Sequence, residues 1–553
     1  MKKSWKNTLL LIAFVLVVAI GIASIFLFSY FRNGGNGLFP GGNTPDITYN
    51  PDVKLEDGTN METPYRESNE THSTARFTYQ DINEANHAPV TPSKGDVNIL
   101  VVPVEFNEEV ASINNFRSTI RAFTNQELSA IDVTFNGDEN GSNPYWYSVS
   151  EYYRISSYGN LNLNFDITDP FTPSISASEF LDLELNGRTG IEGSSRIIED
   201  IFIDGTTIDG QNVDYSNSRY DSNDDGFFDG VWLIYNCNDY KFVHSKYTPF
   251  WAYTTDFDGN GNVYSTRYAN CALSFLYDDS TSGYDAHTII HETGHMLGLD
   301  DYYSYDNDFN YGYLGGVDMM DLNVGDHSSF SKYSLGWIKP TIIYEEETTI
   351  TLNDFSQSGD ALIIPSSYFN DSAFSEYLIL EFKTPHGLNT LDYEHKYQGE
   401  YPKTFGYGLA IYHVDARLAL HNINLFNSTY SVSSYLDVNA SSVPEISLEG
   451  TNQAKAYMVA NSNTPSYNAI SEDYALVKLV SKGSTLYNQD DDHHVSFEAN
   501  TGRDLYQEGD SFGSSQIRNY FPNGSFNNGT PINDISITVN SMNENSITLT
   551  ISR

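Results

Sequence analysis

From Leu9 to Phe31 every position is apolar or small and none is charged; as a helix this run would be about 34 Å long, enough to cross a bilayer. Lys2, Lys3 and Lys6 precede it and Arg32 follows. That bias of basic residues predicts residues 1–8 in the cytoplasm and everything beyond the span outside the cell. A cleaved signal peptide followed by secretion is the competing reading, with small residues at Ala19, Gly21, Ala23 and Ser24. The apolar run continues through Ile25 to Phe31, which favours an uncleaved membrane anchor over residues 9–31.

Residues 32–94 are rich in Gly, Pro, Asn and Thr and keep no periodicity, the pattern of a flexible linker. Val97 to Phe106 (VNILVVPVEF) is a β-branched run of strand length and predicts a buried first strand. Tyr147 to Ile167 predicts a helix broken near Gly159 and then an alternating strand; Gly193 to Ile203 predicts another helix, and Gly230 to Tyr235 another buried strand. Helices interleaved with strands predict an α+β or α/β unit over residues 95–340, and α+β is the expectation taken. From Thr341 onward short apolar and alternating runs follow one another, and they predict a β-rich, sandwich-like region over residues 341–553. Its last two strands, Ile535 to Val539 and Ser546 to Ile551, are joined by a short Asn-rich turn.

With 553 residues the chain can bury more than one core, and 41 Tyr and 32 Phe argue against disorder despite the acidity. The formal charge of −44, from 73 acidic and 29 basic residues, would repel phosphates and excludes nucleic acid as a partner. It suits hard cations. Cys237 and Cys271 are the two cysteines, so there is no disulfide framework; a single bridge and two separate thiols both stay open.

The most specific chemistry lies at His291 to Asp301 (HETGHMLGLDD), which contains H-E-x-x-H. On a helix, residues four apart share a face, so His291 and His295 can turn two imidazoles toward one zinc ion with Glu292 beside them. Gly298 can end the helix in a left-handed conformation and let the chain bring Asp301 back as third ligand. His287 lies one turn earlier on roughly the same face, and a packing or supporting role is expected of it because a catalytic zinc keeps one position open. Tyr303 and Tyr333 are near enough in sequence to be oxyanion donors; His413, within a strand-like run, is expected to be packed.

Upstream, DSNDDGFFD places Asp221, Asn223 and Asp225 alternately before Gly226, with Asp229 following. These oxygens can converge on a hard cation, and the loop is a calcium candidate although it lacks the distal glutamate of an EF-hand. Asp256, Asp258 and Asn260 form a weaker copy.

Together, HETGHMLGLDDYY, the later DMMD and the run HSSFSKYSLGWI resemble the immune inhibitor A family of secreted bacterial metallopeptidases, which is related to the metzincins. The resemblance reaches upstream to VVPVEF and SVSEYYRISSYGNL and downstream to GLAIYHVD and DLYQEGDSF, so it covers roughly Val97 to the carboxyl terminus. It implies a metzincin-like zinc metallopeptidase domain with His291, His295 and Asp301 as ligands, Glu292 as the catalytic carboxylate and Met320 as the Met-turn methionine. Asp300 stands where members often carry proline, and a recognisable pro-domain is absent or much shortened.

The expected activity is zinc-dependent endopeptidase cleavage of extracellular protein or peptide substrates, with metal-activated water and Glu292 as general base. The competing class is a catalytically silent surface adhesin or binding protein on the same fold.

Overall fold

Thr78 accepts a hydrogen bond at its hydroxyl from the Asp81 N–H while its own N–H donates to the Asp81 carboxylate, and this capping box opens α1 (Tyr79–Ala85). α1 falls late in the stretch expected to be a linker, and that stretch is built into the fold from residue 71. The computed structural model describes residues 71–553 except 107–121, 139–146, 188–190, 237–249, 260–262, 278–283, 304–313, 315–316, 322–324, 391, 393–406, 425–428, 436–447, 450–451, 459–474, 483–504 and 522. Two compact units account for it: Pro89–Arg154 with Leu161–Gly298, and residues 71–88 with Ile155–Asn160 and Leu299–Arg553.

The first unit is built on β1 (Gly95–Val104), whose last six residues are all buried. α2 (Asn125–Asn136) and α3 (Val149–Ser156) follow, α2 opened by a Thr124–Glu127 capping box. β2 (Leu161–Ile167), preceded in the chain by Gly159 of the second unit at φ +77°, alternates buried and half-buried residues. Next come α4 (Ala177–Asn186), α5 (Glu192–Asp204) and a small hairpin of β3 (Thr207–Ile208) and β4 (Gln211–Asn212). β5 (Phe228–Tyr235), β6 (Tyr253–Phe257), β7 (Thr266–Ala272) and α6 (His287–Met296) complete the unit.

The strand order is β2-β1-β5-β7-β6, with every pair parallel except β6 against β7. β5 is buried at all eight positions, as a strand of a mainly parallel sheet must be when both faces are covered. Phe135 of α2 packs on Phe165 at 4.9 Å and on Trp232 at 5.6 Å, joining helix to sheet through aromatic rings.

The second unit mixes short helices with several sheets. After α7 (Ser329–Ser334) come β8 (Thr341–Ile342), β9 (Glu347–Asn353), α8 (Phe355–Ser358), β10 (Ala361–Pro365), β11 (Glu376–Lys383) and β12 (Gly408–Asp415). β13 (Ala419–Asn424), β14 (Thr429–Tyr435), β15 (Leu448–Glu449), β16 (Asn452–Tyr457) and β17 (Val477–Leu479) follow. β18 (Ser511–Phe512), α9 (Ser514–Tyr520), β19 (Ser536–Met542) and β20 (Ser546–Ser552) close the chain. They form a five-stranded sheet β17-β12-β11-β10-β8 and two four-stranded sheets, β14-β13-β16-β15 and β18-β19-β20-β9. Leu362, Leu380 and Ile411 of the five-stranded sheet share one apolar cluster with Leu352, Val539 and Leu549 of the last.

Residues 71–88 belong to this unit by specific bonds. Ile342 donates its N–H to the Thr71 carbonyl at 2.7 Å, and Ser73 donates to Pro340 at 2.8 Å. The Asn86 side chain donates to and accepts from the Ala456 backbone, both at 2.8 Å, as a neighbouring strand would.

Two expectations are corrected. The described chain is not an α+β unit followed by a β-rich tail: it is mixed α/β with several sheets, a mainly parallel one in the first unit and short helices within the second. Among the described residues no helix is long and apolar enough to cross a membrane, so the single-pass membrane localisation is not sustained; residues 1–8 and the span expected over 9–31 lie outside the described residues.

Candidate metal centre

α6 begins at Ala286 without a side-chain cap and buries Ile289, Ile290, Thr293, Gly294 and Met296, while His291 and His295 stay half-buried. The two imidazoles are therefore on the more open side of the helix, with ring centroids 4.8 Å apart and planes at 89°. Three hydrogen bonds hold the helix in place. Tyr153 Oη donates to the Ile290 carbonyl at 2.6 Å, Thr91 N–H donates to the Met296 carbonyl at 3.1 Å, and Arg267 donates to the His295 carbonyl at 3.4 Å. Arg267 is itself paired with Asp256 at 2.7 Å.

The helix stops after Met296. Gly298 takes φ +104°, a conformation that suits glycine, and its N–H returns to the His295 carbonyl at 3.0 Å. Asp301 follows, buried. One nitrogen from each histidine and one oxygen of Asp301 lie within 4.8 Å of one another, and this is the group of three such side chains gathered around one point among the described residues. His287 is outside it, and its N–H caps onto Asp285 at 2.9 Å.

Two imidazole nitrogens and a carboxylate oxygen form a donor set suited to zinc. Ligands about 2.1 Å from a tetrahedral ion stand roughly 3.4 Å apart, so closing on it takes side-chain adjustments on the order of an ångström. The residues present therefore fit the ion.

Glu292 is 7 % exposed, and its Oε2 lies 3.0 Å from Thr254 Oγ1 in β6. Neighbouring β7 carries Cys271, a buried thiol that burial, with the Glu292 charge nearby, pushes well up. Cys237, its conceivable bridge partner, lies outside the described residues.

In the second unit, Tyr302 donates its N–H to the Met320 carbonyl at 2.8 Å, which ties the chain just past Asp301 to the buried Met319–Met320 turn. Asp318 organises that turn. Its carboxylate accepts from the N–H of Met320 at 2.8 Å and of Ser328 at 2.7 Å, from Ser331 Oγ at 2.8 Å, and lies 3.5 Å from His327. Burial alone would push this carboxyl up; His327, by hydrogen bond and charge, together with Ser328 and the Met320 N–H, brings it down to about 2.

Of the other expected residues, Tyr333 is buried with its hydroxyl 2.5 Å from Ser73 Oγ, and Tyr303 is half-buried. His413 is packed: its Nε2 lies 3.0 Å from Glu376 Oε1, its ring sits on Phe521 and Phe526, and burial pushes it down to about 3.

The acidic loop turns its oxygens inward. Asp221 accepts from the N–H groups of Asp225 and Gly226, Asp229 from Ser222, and Asp225 from Phe227 and the Asn223 amide. Each of these carboxylates closes a turn of its own loop, and they are not in the group of three gathered around one point. Asp256 of the weaker copy is held by Arg267, and Asn260 lies outside the described residues.

Thr254 and Arg267 escaped the sequence reading because each reaches its partner through the fold rather than at a helical spacing. No protein-family model matches the chain, and no curated protein matches its sequence.

Proposed function

We propose that the chain is a zinc-dependent endopeptidase acting on extended peptide segments. The observation that carries the reading is the gathering of His291, His295 and Asp301 with Glu292 on the same helix. A zinc ion bound there would supply Lewis acidity toward a water and a scissile carbonyl.

Glu292 is the general base of this reading: its carboxylate takes a proton from the attacking water and returns it to the nitrogen of the departing amine. Its burial keeps bulk water from competing for that carboxylate. Among the described residues β6 is the edge strand, antiparallel to β7, so its outer edge offers backbone groups to which an extended peptide can add as a further strand. The resemblance to immune inhibitor A metallopeptidases supports the same chemistry.

Metal analysis together with casein cleavage by the full chain and by Glu292→Gln tests this reading. Stoichiometric zinc and cleavage that collapses in Glu292→Gln support it. Zinc with equal, or no, cleavage in both would instead identify a binding protein on a metallopeptidase fold.

A further inference from the structure

β6 does more than edge its sheet. Along a strand successive side chains point to opposite faces, and Tyr253 turns to α5, where its hydroxyl meets Ser194 Oγ at 2.7 Å. Thr254 faces the opposite way, toward α6. Its Oγ1 lies 3.0 Å from the Glu292 carbonyl oxygen and 3.0 Å from Glu292 Oε2. A hydroxyl has one hydrogen to donate, and a carboxylate draws it more strongly than a carbonyl does.

The Thr254 hydroxyl is itself well fixed. Its residue pairs with Ala269 of β7, and its β-branched side chain has few χ1 choices in a strand. Asp256, two residues on, pairs with Arg267, whose guanidinium reaches the His295 carbonyl. The edge strand and its neighbour thus hold α6 at both ends of its H-E-x-x-H segment, and one of those holds lands on the carboxylate.

We propose that Thr254 is a positioning residue for Glu292: its hydroxyl donates to Oε2 and fixes the carboxylate in the orientation that proton transfer requires. The inference rests on the peptidase reading, in which Glu292 is the general base. Loss of that donor removes one of the contacts that orient the carboxylate, and misplacement of about an ångström can lower turnover on the order of a hundredfold. Substrate binding along the backbone edge of β6 does not involve the hydroxyl, so the loss should fall on kcat rather than KM.

The test uses the full chain with Thr254→Val, which keeps the shape and removes the donor, and Thr254→Ser, which keeps the donor and removes the methyl. Steady-state cleavage of a peptide and crystal structures of all three proteins are the readouts. Expected are a fall in kcat of roughly tenfold to a hundredfold in Thr254→Val with KM within about twofold, recovery in Thr254→Ser, and a Glu292 carboxylate rotated away in the valine variant alone. Unchanged kcat in Thr254→Val, or a serine variant as impaired as the valine one, overturns the inference. If wild type and Glu292→Gln cleave alike, the peptidase reading fails by itself; the Glu292 orientation in the three crystal structures still decides whether Thr254 positions it.

Discussion

The hydroxyl of Tyr153 donates to the Ile290 carbonyl at 2.6 Å, which fastens a buried aromatic residue of α3 to the helix carrying His291 and His295. That carbonyl also lies within the helical ladder, so removing the hydroxyl does not orphan it. Tyr153→Phe should therefore cost about 1 kcal/mol. A slightly lower thermal midpoint with unchanged zinc content is the expected result; loss of zinc on this change would show that the bond sets the imidazoles and not merely the packing.

Zinc retention should depend on all three donors. Asp301→Ala and His295→Ala are each expected to weaken zinc binding by more than the roughly 10- to 100-fold typical of losing an outer partner of a ligand. Glu292→Gln should retain the ion while hydrolysis falls by about 10²- to 10⁴-fold. Competition with a chromogenic chelator measures the first, and peptide turnover the second. Equal zinc affinity in wild type and Asp301→Ala would remove Asp301 from the ligand set.

Asp318 is the acceptor on which the Met319–Met320 turn closes, and its side chain is fully buried. Asp318→Ala strands several buried donors at once and should destabilise the second unit by on the order of 3 kcal/mol. The folded carboxyl lies at about 2, below the roughly 3.9 of an unfolded chain. Its contribution is thus fully present above the unfolded value and disappears as pH falls through about 2. Acid unfolding followed by near-ultraviolet circular dichroism should show the variant losing less on acidification than wild type does.

Glu184 acts in the opposite direction. Burial pushes its carboxyl up to about 8, against the hydrogen bond it accepts from the Ser194 N–H and with Glu192 adding to the rise. A carboxyl that folding raises favours the native state when protonated, so stability should fall as pH climbs from about 4.5 toward 8. The swing is on the order of 5 kcal/mol. Glu184→Gln should flatten it and raise the thermal midpoint at pH 8. A wild-type midpoint that does not decline over this range would show that the carboxyl ionises without penalty.

Much of the site was legible because its signals are local. The i, i+4 histidines, the glycine that closes the helix and the aspartate three residues further on need only helical geometry and one positive φ, which Gly298 supplies. The hairpin of β19 and β20 was equally legible from alternation and an Asn-rich turn. α7 shows where such reasoning stops. Its residues Ser329 to Ser334 read as a polar stretch, yet all six are buried. Their polar groups meet partners distant in sequence: Lys332 Nζ contacts Asp326 at 2.6 Å and Tyr158 Oη at 3.1 Å, while Ser329 donates its N–H to Glu381. Hydropathy records what a side chain would prefer in isolation, and such partners are invisible to it. The same holds for Asn86, whose amide takes the place of a strand beside Ala456, and for Thr254 beneath Glu292.

β9 is paired along its whole length with β20, from Glu347 opposite Ser552 to Asn353 opposite Ser546, and Thr351 meets Thr548 197 residues later. During synthesis at roughly 5–20 residues per second, β9 would leave the ribosome about 10–40 s before its partner exists. Through that interval Ile350 and Leu352, buried in the finished sheet, lack the neighbouring strand. The nascent chain thus carries an open strand edge for seconds at a time, until β20 follows to pair with it.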